Sequence, residues 1–391
     1  MDHVMGGKVR RWALGALGVL LVMALAACGS TTGSSTSSSS SGGDATASSS
    51  STPAAEKLKV AFVYAGAVDN QGWDTGMDIG RQQLEAELGD QIEVTYKDSV
   101  PDGPQDATVI KQLIDDGNKL IFLTSFGQQF AVKELAPKYP DVKFEQVMAM
   151  ETSENVSNFD ASAVEGFYVA GMAAAAAASE PKIGLVGGFP LTNQLAQVNA
   201  LQLGAQSMKP SATVQMVWTN DWNSLPKAQS AAQGLVDSGV KALTQFTTGP
   251  GVAPVAKATN TPWVAYEVDQ KSYAPDQYLT SVLYNWGPFF IERTKAALDG
   301  TWKSGAFFGT MANDTIKLAP WGPAYDKLDQ ATKDKIQAKI DSFVAGDPVF
   351  VGPITDRDGK ERVAAGKSPT MAEVGMTDYV VKGVLGTIPK M

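Results

Sequence analysis

The residues of this chain that could do chemistry are aromatic rings and polar groups that follow short apolar runs. Trp73 stands in the stretch NQGWDTG, directly after the run LKVAFVYAG, among small and polar neighbours where a buried core rarely places a tryptophan. The residues that share such a position are Asp69, Asn70, Trp73, Phe126, Glu145, Asn193, Asp221, Trp222, Phe246, Glu267, Asp269, Tyr284 and Trp286. Flat rings give large apolar contacts, and a few acids and amides fix hydrogen bonds. The set predicts a cleft for a flat, donor-rich small molecule, whereas packing between lobes is an equal alternative for any single ring.

Glycines accompany these residues. Gly187-Gly188 and Gly249-Pro250-Gly251 could let backbone amides approach a ligand, or could serve only as tight turns.

Enzyme signatures are weak in this sequence. The only histidine is His3 and the only cysteine is Cys28, so the pattern predicts neither a histidine base nor a metal or other cofactor. Ser224-Leu225-Pro226-Lys227 has the spacing of a serine–lysine acylase, but Pro226 and the helical pattern after it favour a helix cap at Ser224. The GKS at 366–368 lacks the earlier glycine of a phosphate loop. We therefore expect a protein that is not an enzyme, with a hydrolase built on Glu145 and Glu267 as a lesser alternative.

Apolar runs alternate with helical patterns along the chain and supply the elements that must position these residues. The candidate strands are 58–64, 92–97, 119–124, 142–146, 182–187, 213–218, 241–246, 263–267 and 279–283. Helical patterns include 74–88, 105–116, 192–208 and 227–238. This alternation predicts doubly wound parallel sheets with helices on both faces. Ligands of such sheets bind at the carboxyl ends of the strands, where the polar and aromatic residues stand.

The sequence also repeats itself. KVAFV at Lys59 returns as KIGLV at Lys182, 123 positions later (182 − 59). PDVKFE at Pro140 matches PWVAYE at Pro262, 122 positions later (262 − 140), and LIDDGNKLIFLTSFG matches LVDSGVKALTQFTTG in the same register. Two similar α/β lobes in tandem are predicted. The strand near 279–283 and the chain after it have no visible counterpart in the first lobe.

These observations predict a division of the chain. The predicted segments are a lipoprotein signal peptide at 1–27, a Ser/Thr-rich disordered tether at 28–57, a first lobe at 58–180, a second lobe at 181–283, and a C-terminal segment at 305–391. We expect part of 284–304 to complete the first lobe, and part of 305–391 to bridge the lobes or complete the second.

The amino-terminal segment has the pattern of an export signal. Basic residues precede an apolar run that ends in Leu25-Ala26-Ala27, directly before Cys28. This arrangement predicts acylation of Cys28 and an extracytoplasmic protein held at the cell membrane; a plain signal peptide with a chance cysteine is the alternative. The net charge of −9 argues against nucleic acid as a partner.

Five segments in order carry a family resemblance. They are KVAFVYAGAVDNQGWDTGMDIGRQQLE, KIGLVGGFP, VWTNDWNSLPKAQSAAQGLVDSGV, LTSVLYNWGPFF and VFVGPITDRDGKERVAAG. From about Leu58 to the C-terminus, the chain resembles the basic membrane protein family of substrate-binding lipoproteins of ABC transporters. The resemblance implies a type I periplasmic-binding-protein fold, in which two lobes close on a purine nucleobase or nucleoside and deliver it to an ABC permease.

The resemblance also implies roles for single residues. Trp73 and Trp222 would stack on the base from the two lobes, and Asp69 and Asn70 would line the first-lobe wall. The further positions implied are Phe126 near that wall, Gly249 with its backbone against the ligand, and Asp269 as an acceptor for a ribose or exocyclic group. Many members carry an Asp where this chain has Phe130. At Tyr284, nucleoside-binding members tend to have Lys and the base-binding branch Trp.

The sequence is also compatible with two other kinds of function. One is a receptor for another small solute, such as a sugar. The other is a surface sensor or adhesin lipoprotein, which would bind a partner protein and no small molecule.

Overall fold

The computed structural model describes residues 56–389. Cys28, the predicted signal peptide and all of the predicted tether except residues 56–57 lie outside this part of the chain. Within residues 56–389, no helix has the length and apolar character that crossing a membrane requires.

The nine predicted strands are all present, and the structure adds β5 and the strands and helices after residue 284. The strands are β1 (Leu58–Val63), β2 (Ile92–Lys97), β3 (Leu120–Leu123), β4 (Lys143–Val147), β5 (Val156–Ala161), β6 (Lys182–Gly187), β7 (Thr213–Trp218), β8 (Ala242–Phe246), β9 (Trp263–Glu267), β10 (Tyr278–Tyr284), β11 (Ala306–Gly309), β12 (Ile316–Leu318), β13 (Ile354–Thr355), β14 (Glu361–Val363) and β15 (Val384–Leu385). The helices are α1 (Trp73–Leu88), α2 (Gln105–Asp115), α3 (Gln129–Leu135), α4 (Val164–Ala177), α5 (Thr192–Met208), α6 (Leu225–Asp237), α7 (Ala253–Thr259), α8 (Gly287–Leu298), α9 (Pro323–Asp326), α10 (Gln330–Val344) and α11 (Met371–Gly375).

Two large sheets organise the molecule. The first has the strand order β11-β5-β4-β3-β1-β2, and all its neighbouring pairs are parallel. The second has the order β12-β10-β9-β8-β6-β7-β15 and is parallel except for the pair β10–β12. The shared order confirms two similar doubly wound lobes of α/β class.

The topology corrects one expectation about the repeat. The strand near 279–283, which is β10, has a counterpart in the first lobe, because β5 holds the equivalent place beside β4. The sequence of β5, VSNFDA, hides it. Asn158 and Asp160 interrupt the apolar run that marks the other strands, and Asn158 uses its side chain to accept a 2.7 Å hydrogen bond from the backbone of Ala149.

The central strands are apolar on both faces because helices cover both. In β1, Phe62 packs toward α1 and α8, stacking on Phe122 at a centroid distance of 4.6 Å and meeting Phe290 edge-on at 5.1 Å. Ala61 and Val63 face α2 and α3 on the other side. Strands buried on two faces need such continuous apolar runs, which is why the sequence pattern locates them.

The chain passes between the lobes three times. It leaves the first sheet after β5, returns after β10, and crosses again between β11 and β12. The first crossing corrects the predicted boundary at residue 180. Helix α4, assigned to the first lobe, packs on the second through α5, β8 and β10. The helices approach so closely that a Cβ on Gly171 would lie 2.0 Å from the Leu201 carbonyl oxygen.

The crossing between β11 and β12 divides the segment after residue 305. Strand β11 joins the first sheet beside β5, whereas β12 pairs with β10 and β15 with β7 in the second sheet. The side chain of Asn199 in α5 ties down the end of the chain, donating to the Tyr379 carbonyl at 3.0 Å and accepting from the Val381 N–H at 2.8 Å. Most of the C-terminal segment therefore belongs with the second lobe.

Candidate ligand cleft between the lobes

The loops at the carboxyl ends of the two sheets touch each other. The side-chain amide of Gln270, after β9, donates a 2.9 Å hydrogen bond to the carbonyl oxygen of Gln71, after β1. A Cβ on Gly72 would lie 2.6 Å from Cγ2 of Thr248 in the second lobe. Gly72 is therefore needed for this close approach, and the structure shows the lobes in contact at the predicted ligand edge.

Trp73 is the first residue of α1 and not a loop residue. Its indole N–H donates a 2.8 Å hydrogen bond to the carbonyl oxygen of Thr124 at the end of β3. Its half-buried ring meets Tyr284 edge-on at 5.3 Å and Trp286 at 6.2 Å. Two predicted site residues are therefore in contact, Trp73 of the first lobe and Tyr284 of the second.

Tyr284 ends β10 and is buried. Its ring stacks on Trp286 with the planes 6° apart, and its hydroxyl lies 2.8 Å from that of Tyr266. Gln197 of α5 approaches both hydroxyls at 3.5 Å. Because burial raises the pKa of both phenols well above the usual value, both stay neutral. The Tyr284 hydroxyl is thus hydrogen-bonded within the second lobe, and its ring lies roughly perpendicular to that of Trp73.

Asn70 shapes the turn before α1. Its Oδ1 accepts from the N–H of Gly72 at 3.0 Å and the hydroxyl of Thr75 at 3.2 Å, and its Nδ2 donates to Asp74 at 2.7 Å. Asp69 beside it is exposed. Asn70 therefore fixes the conformation of the turn before α1, while Asp69 is exposed at the same turn.

Trp222 lies half-buried in the loop after β7. A Cβ on Gly188 would lie 2.2 Å from Cε3 of Trp222, so only a glycine there lets the indole lie against the backbone. Phe189 packs beside it with centroids 5.3 Å apart. Trp73 and Trp222 share no ring contact among the described residues, so each lobe presents its own tryptophan at its strand ends.

Gly249 and Asp269 hold the second-lobe loops. Gly249 has a φ of +76°, which favours glycine, and a Cβ on it would lie 3.2 Å from the Asn70 carbonyl oxygen. Its own carbonyl accepts a 2.6 Å bond from the side chain of Gln245. The exposed Asp269 accepts a 2.8 Å hydrogen bond from the hydroxyl of Tyr278 through Oδ1. Gly249 thus lies beside the first-lobe turn, and Asp269 lies outside that contact.

Phe126 begins a short 3₁₀ turn after β3 and is 43 % exposed. Two further exposed apolar side chains, Phe130 and Met150, lie close by, since Gln129 accepts a hydrogen bond from the Met150 N–H at 3.2 Å. The carboxyl edge of the first lobe therefore carries three exposed apolar side chains.

The placement of Glu145 at a strand-end loop is wrong. Glu145 lies inside β4 and is fully buried. Its Oε1 accepts from Nε of Arg293 at 2.5 Å and from the indole N–H of Trp302 at 2.6 Å. Burial raises its pKa to about 7 although the guanidinium opposes that rise. Glu145 ties α8 and the segment after it to the first sheet, which is a structural role.

Two of the aromatic candidates are core residues. Phe246 and Trp286 are each 1 % exposed. Phe246 packs edge-on against Phe167 at 4.6 Å, and Trp286 packs on Phe159 at 5.3 Å. The sequence places both at strand ends, but the crossing helices α4 and α8 cover them.

The alternative enzyme motifs have ordinary structural explanations. Ser224 is the N-cap of α6, accepting from the Lys227 N–H, while the Lys227 ammonium pairs with Asp221 at 2.9 Å. Glu145 lies in β4 and pairs with Arg293, whereas Glu267 ends β9 in the other lobe. Lys360 and Lys367 are exposed, as expected for surface charges.

Two carboxyl groups of the cleft region escape sequence analysis. Asp160 at the end of β5 accepts a hydrogen bond from its neighbour Ala161, and burial raises its pKa to about 6. Its charge also contributes to the raised pKa of Tyr284, after burial. Asp74 is 7 % exposed and accepts from the Gly66 N–H at 3.2 Å. Neither follows a long apolar run, so periodicity gives no signal for them.

Comparison with known proteins agrees with this architecture. The sequence model of the Bmp family, described as "ABC transporter substrate-binding protein PnrA-like", matches residues 57–345. The chain belongs to this family. It is therefore the extracytoplasmic substrate-binding component of an ABC transporter, a class of binding proteins and not of enzymes.

Two relatives are similar to this Bmp-family protein in sequence, and one solved structure is similar in fold. A purine-binding protein of Brucella abortus (strain 2308) is 37 % identical over 86 % of this chain and 95 % of that protein. A putative ABC transporter glucose-binding protein of Haloferax volcanii is 30 % identical over 72 % of this chain and 71 % of that protein. A solute-binding protein of Conexibacter woesei superposes with a TM-score of 0.64 at 22 % identity, covering 74 % of this chain and 97 % of that structure. That superposition shows the type I two-lobed fold.

Proposed function

We propose that this Bmp-family protein captures a purine nucleobase or nucleoside between its lobes and delivers it to an ABC permease. The observation that carries the proposal is a half-buried tryptophan at the strand ends of each lobe, Trp73 and Trp222. A purine offers a flat face to such rings, and stacking contributes about 1–3 kcal/mol per base. The purine-binding relative from Brucella abortus supports the same ligand class.

Polar groups around these rings suit a ligand rich in N–H donors. Asp69 and Asp269 are exposed at the rim, and Asp160 lies deeper, with its neighbour's backbone as its donor. A carboxylate accepts hydrogen bonds only, and charge-assisted bonds are stronger than neutral ones. We propose Asp69, Asn70, Trp73, Phe126, Trp222, Gly249, Asp269 and Tyr284 as the cleft lining, with Asp160 added and Glu145 left out.

Ligand capture would use the hinge formed by the three crossings. A ligand that contacts both lobes binds the closed state better than the open state and shifts the population toward closure. The closed state would then dock on the permease. Acylation of Cys28 would hold the protein at the outer face of the cell membrane, where the Ser/Thr-rich segment would serve as a tether.

A sugar is the second candidate ligand. Aromatic rings with nearby carboxylates also suit hydroxyl-rich ligands, and the Haloferax volcanii relative is named as a putative glucose-binding protein. A thermal-shift panel of nucleobases, nucleosides, sugars and amino acids separates the candidates, because a ligand at a thousand times its dissociation constant stabilises by about 4 kcal/mol. Stabilisation by purines supports our proposal; stabilisation by sugars alone would replace it.

A further inference from the structure

Glu267 lies at the point where the second lobe meets the amino end of α1. Its φ is +71°, an uncommon conformation for a residue with a side chain. Its carboxylate oxygen Oε2 is enclosed without a hydrogen-bond partner among residues 56–389, and a Cβ on Gly72, at the amino end of α1, would lie 2.7 Å from it.

A second carboxyl group faces this point from the first lobe. Asp74 is 7 % exposed and lies in the first turn of α1, two residues after Gly72. Its charge adds to burial in raising the pKa of Glu267. Two like charges enclosed together repel each other strongly, and such a pair commonly holds a proton.

We propose that closing the lobes buries the Asp74–Glu267 carboxyl pair together with one proton, so that closure and ligand capture strengthen as the medium becomes mildly acidic. The proposal rests on the proposed function, since it concerns regulation of the same cleft. Opening the lobes separates Glu267 from α1 and returns both carboxyl groups to water, where each is ionised at neutral pH.

Within residues 56–389, none of the segments packed on Glu267 places a cation against its carboxylate. The side chains of the packed segments are Asp74 from α1, Thr248 from the loop after β8, Gln270 from the segment after β9, Tyr266 from β9 and Tyr284 from β10. Of these, Asp74 carries the only carboxyl group, and both phenols stay neutral because burial raises their pKa values. The other charged groups on the same segments are Asp69, Asp269 and Lys271, which are exposed or half-exposed, and the Asp78–Arg81 pair further along α1.

The direction of the pH effect follows from the two states. In the closed form, burial and then the Asp74 charge raise the pKa of Glu267 to about 8, against an ordinary value of 4.5. Between these values closing takes up a proton, so the closed state weakens as pH rises toward 8. The closed-to-open ratio changes by up to about tenfold per pH unit in that window.

The test uses lobe closure without any ligand, so that it does not depend on purine binding. Spin labels on Glu151→Cys and Asn223→Cys, one exposed residue from each lobe, report the lobe separation once Cys28 is replaced by serine. In the wild type we expect the label distance to shift toward the short value as the pH falls from about 8.5 to 6. In Asp74→Asn the midpoint pH of this shift is lower. In Glu267→Gln the distance is short at both pH values. The exposed Glu154→Gln is the matched control and retains the wild-type response.

A distance that does not change with pH in the wild type overturns the proposal. So does a full pH response in folded Glu267→Gln, whose fold is checked by circular dichroism. Calorimetry with adenine in two buffers of different ionisation enthalpy adds a second readout: uptake of about one proton per adenine near pH 6.5 in the wild type and none in Glu267→Gln. If adenine does not bind at all, the label distances still decide the proton proposal, and only the purine proposal fails.

Discussion

Gln270 and Gln71 lie on different lobes and are joined by a 2.9 Å hydrogen bond from a side-chain amide to a backbone carbonyl. The residues are 199 positions apart in the sequence. Gln270 is fully buried and also donates to the carbonyl of Tyr266 at 3.3 Å. This bond belongs to the closed arrangement, because separating the lobes breaks it.

Replacing Gln270 by Met removes that bond at nearly constant side-chain size. A buried hydrogen bond contributes about 1 kcal/mol net, so we expect about fivefold weaker ligand affinity with a smaller change in melting temperature. Isothermal titration with the ligand found by the panel measures the affinity. Gln233→Met on the exposed face of α6 is the control and leaves it unchanged; equal affinities of Gln270→Met and wild type contradict a closed-state bond.

Trp222→Ala removes the aromatic surface of the second lobe. Because the ring lies against Gly188 and is half-buried, we expect purine affinity to fall by about 1–3 kcal/mol, the scale of base stacking. The control is Trp321→Ala, another half-buried indole, which stacks on Tyr325 in the C-terminal segment. A loss of affinity no larger than that of the control places the ligand elsewhere.

Tyr284→Phe separates the ring from the hydroxyl. The hydroxyl is already bonded to Tyr266, so its removal lowers the free energy of unfolding by about 1 kcal/mol and leaves purine affinity within about twofold. Tyr284→Leu also removes the edge that meets Trp73 at 5.3 Å, and affinity then falls about tenfold. A tenfold loss of purine affinity in Tyr284→Phe itself would mean that the hydroxyl hydrogen-bonds to the ligand.

Arg293→Met tests the structural role assigned to Glu145. The variant leaves a buried carboxylate without its guanidinium, and breaking such a pair costs about 3–5 kcal/mol. The pKa of Glu145 is then raised further above its unfolded value, so the loss is largest near pH 8 and smaller at acid pH, where the carboxyl keeps its proton. Ligand affinity stays unchanged.

Urea unfolding at several pH values measures the stability of Arg293→Met. Lys295→Met, two residues along α8, breaks only the exposed pair with Glu87 and costs less than about 1 kcal/mol. A loss for Arg293→Met that does not vary with pH contradicts the account of Glu145.

Much of the fold follows from local sequence signals. The apolar runs of β1, β3 and β6 are nearly continuous because helices cover both faces of each sheet, and the repetition of such runs predicts the two lobes. The same pattern of apolar runs also predicts that α1 follows β1 and that α5 follows β6. Strand β5 is missed because Asn158 and Asp160 break its run near the edge of the sheet.

The site is less accessible to sequence analysis, because its geometry depends on contacts between distant residues. Glu145 resembles a strand-end acid, yet its partners Arg293 and Trp302 stand 148 and 157 positions away. Likewise, Phe246 and Trp286 look available until the crossing helices are in place. The sequence pattern places Trp73 and Trp222 near strand ends. It does not predict the hydrogen bond from the Trp73 indole to the Thr124 carbonyl, because the two residues are distant in the sequence.

The most direct test of small-molecule capture is isothermal titration of the purified protein with adenine, guanosine and glucose, followed by analysis of the recovered ligand. The account predicts saturable binding of a purine compound, weakened in Trp222→Ala, with the ligand recovered chemically unchanged. Binding of glucose with no binding of either purine compound, or conversion of the purine into a product, would contradict it.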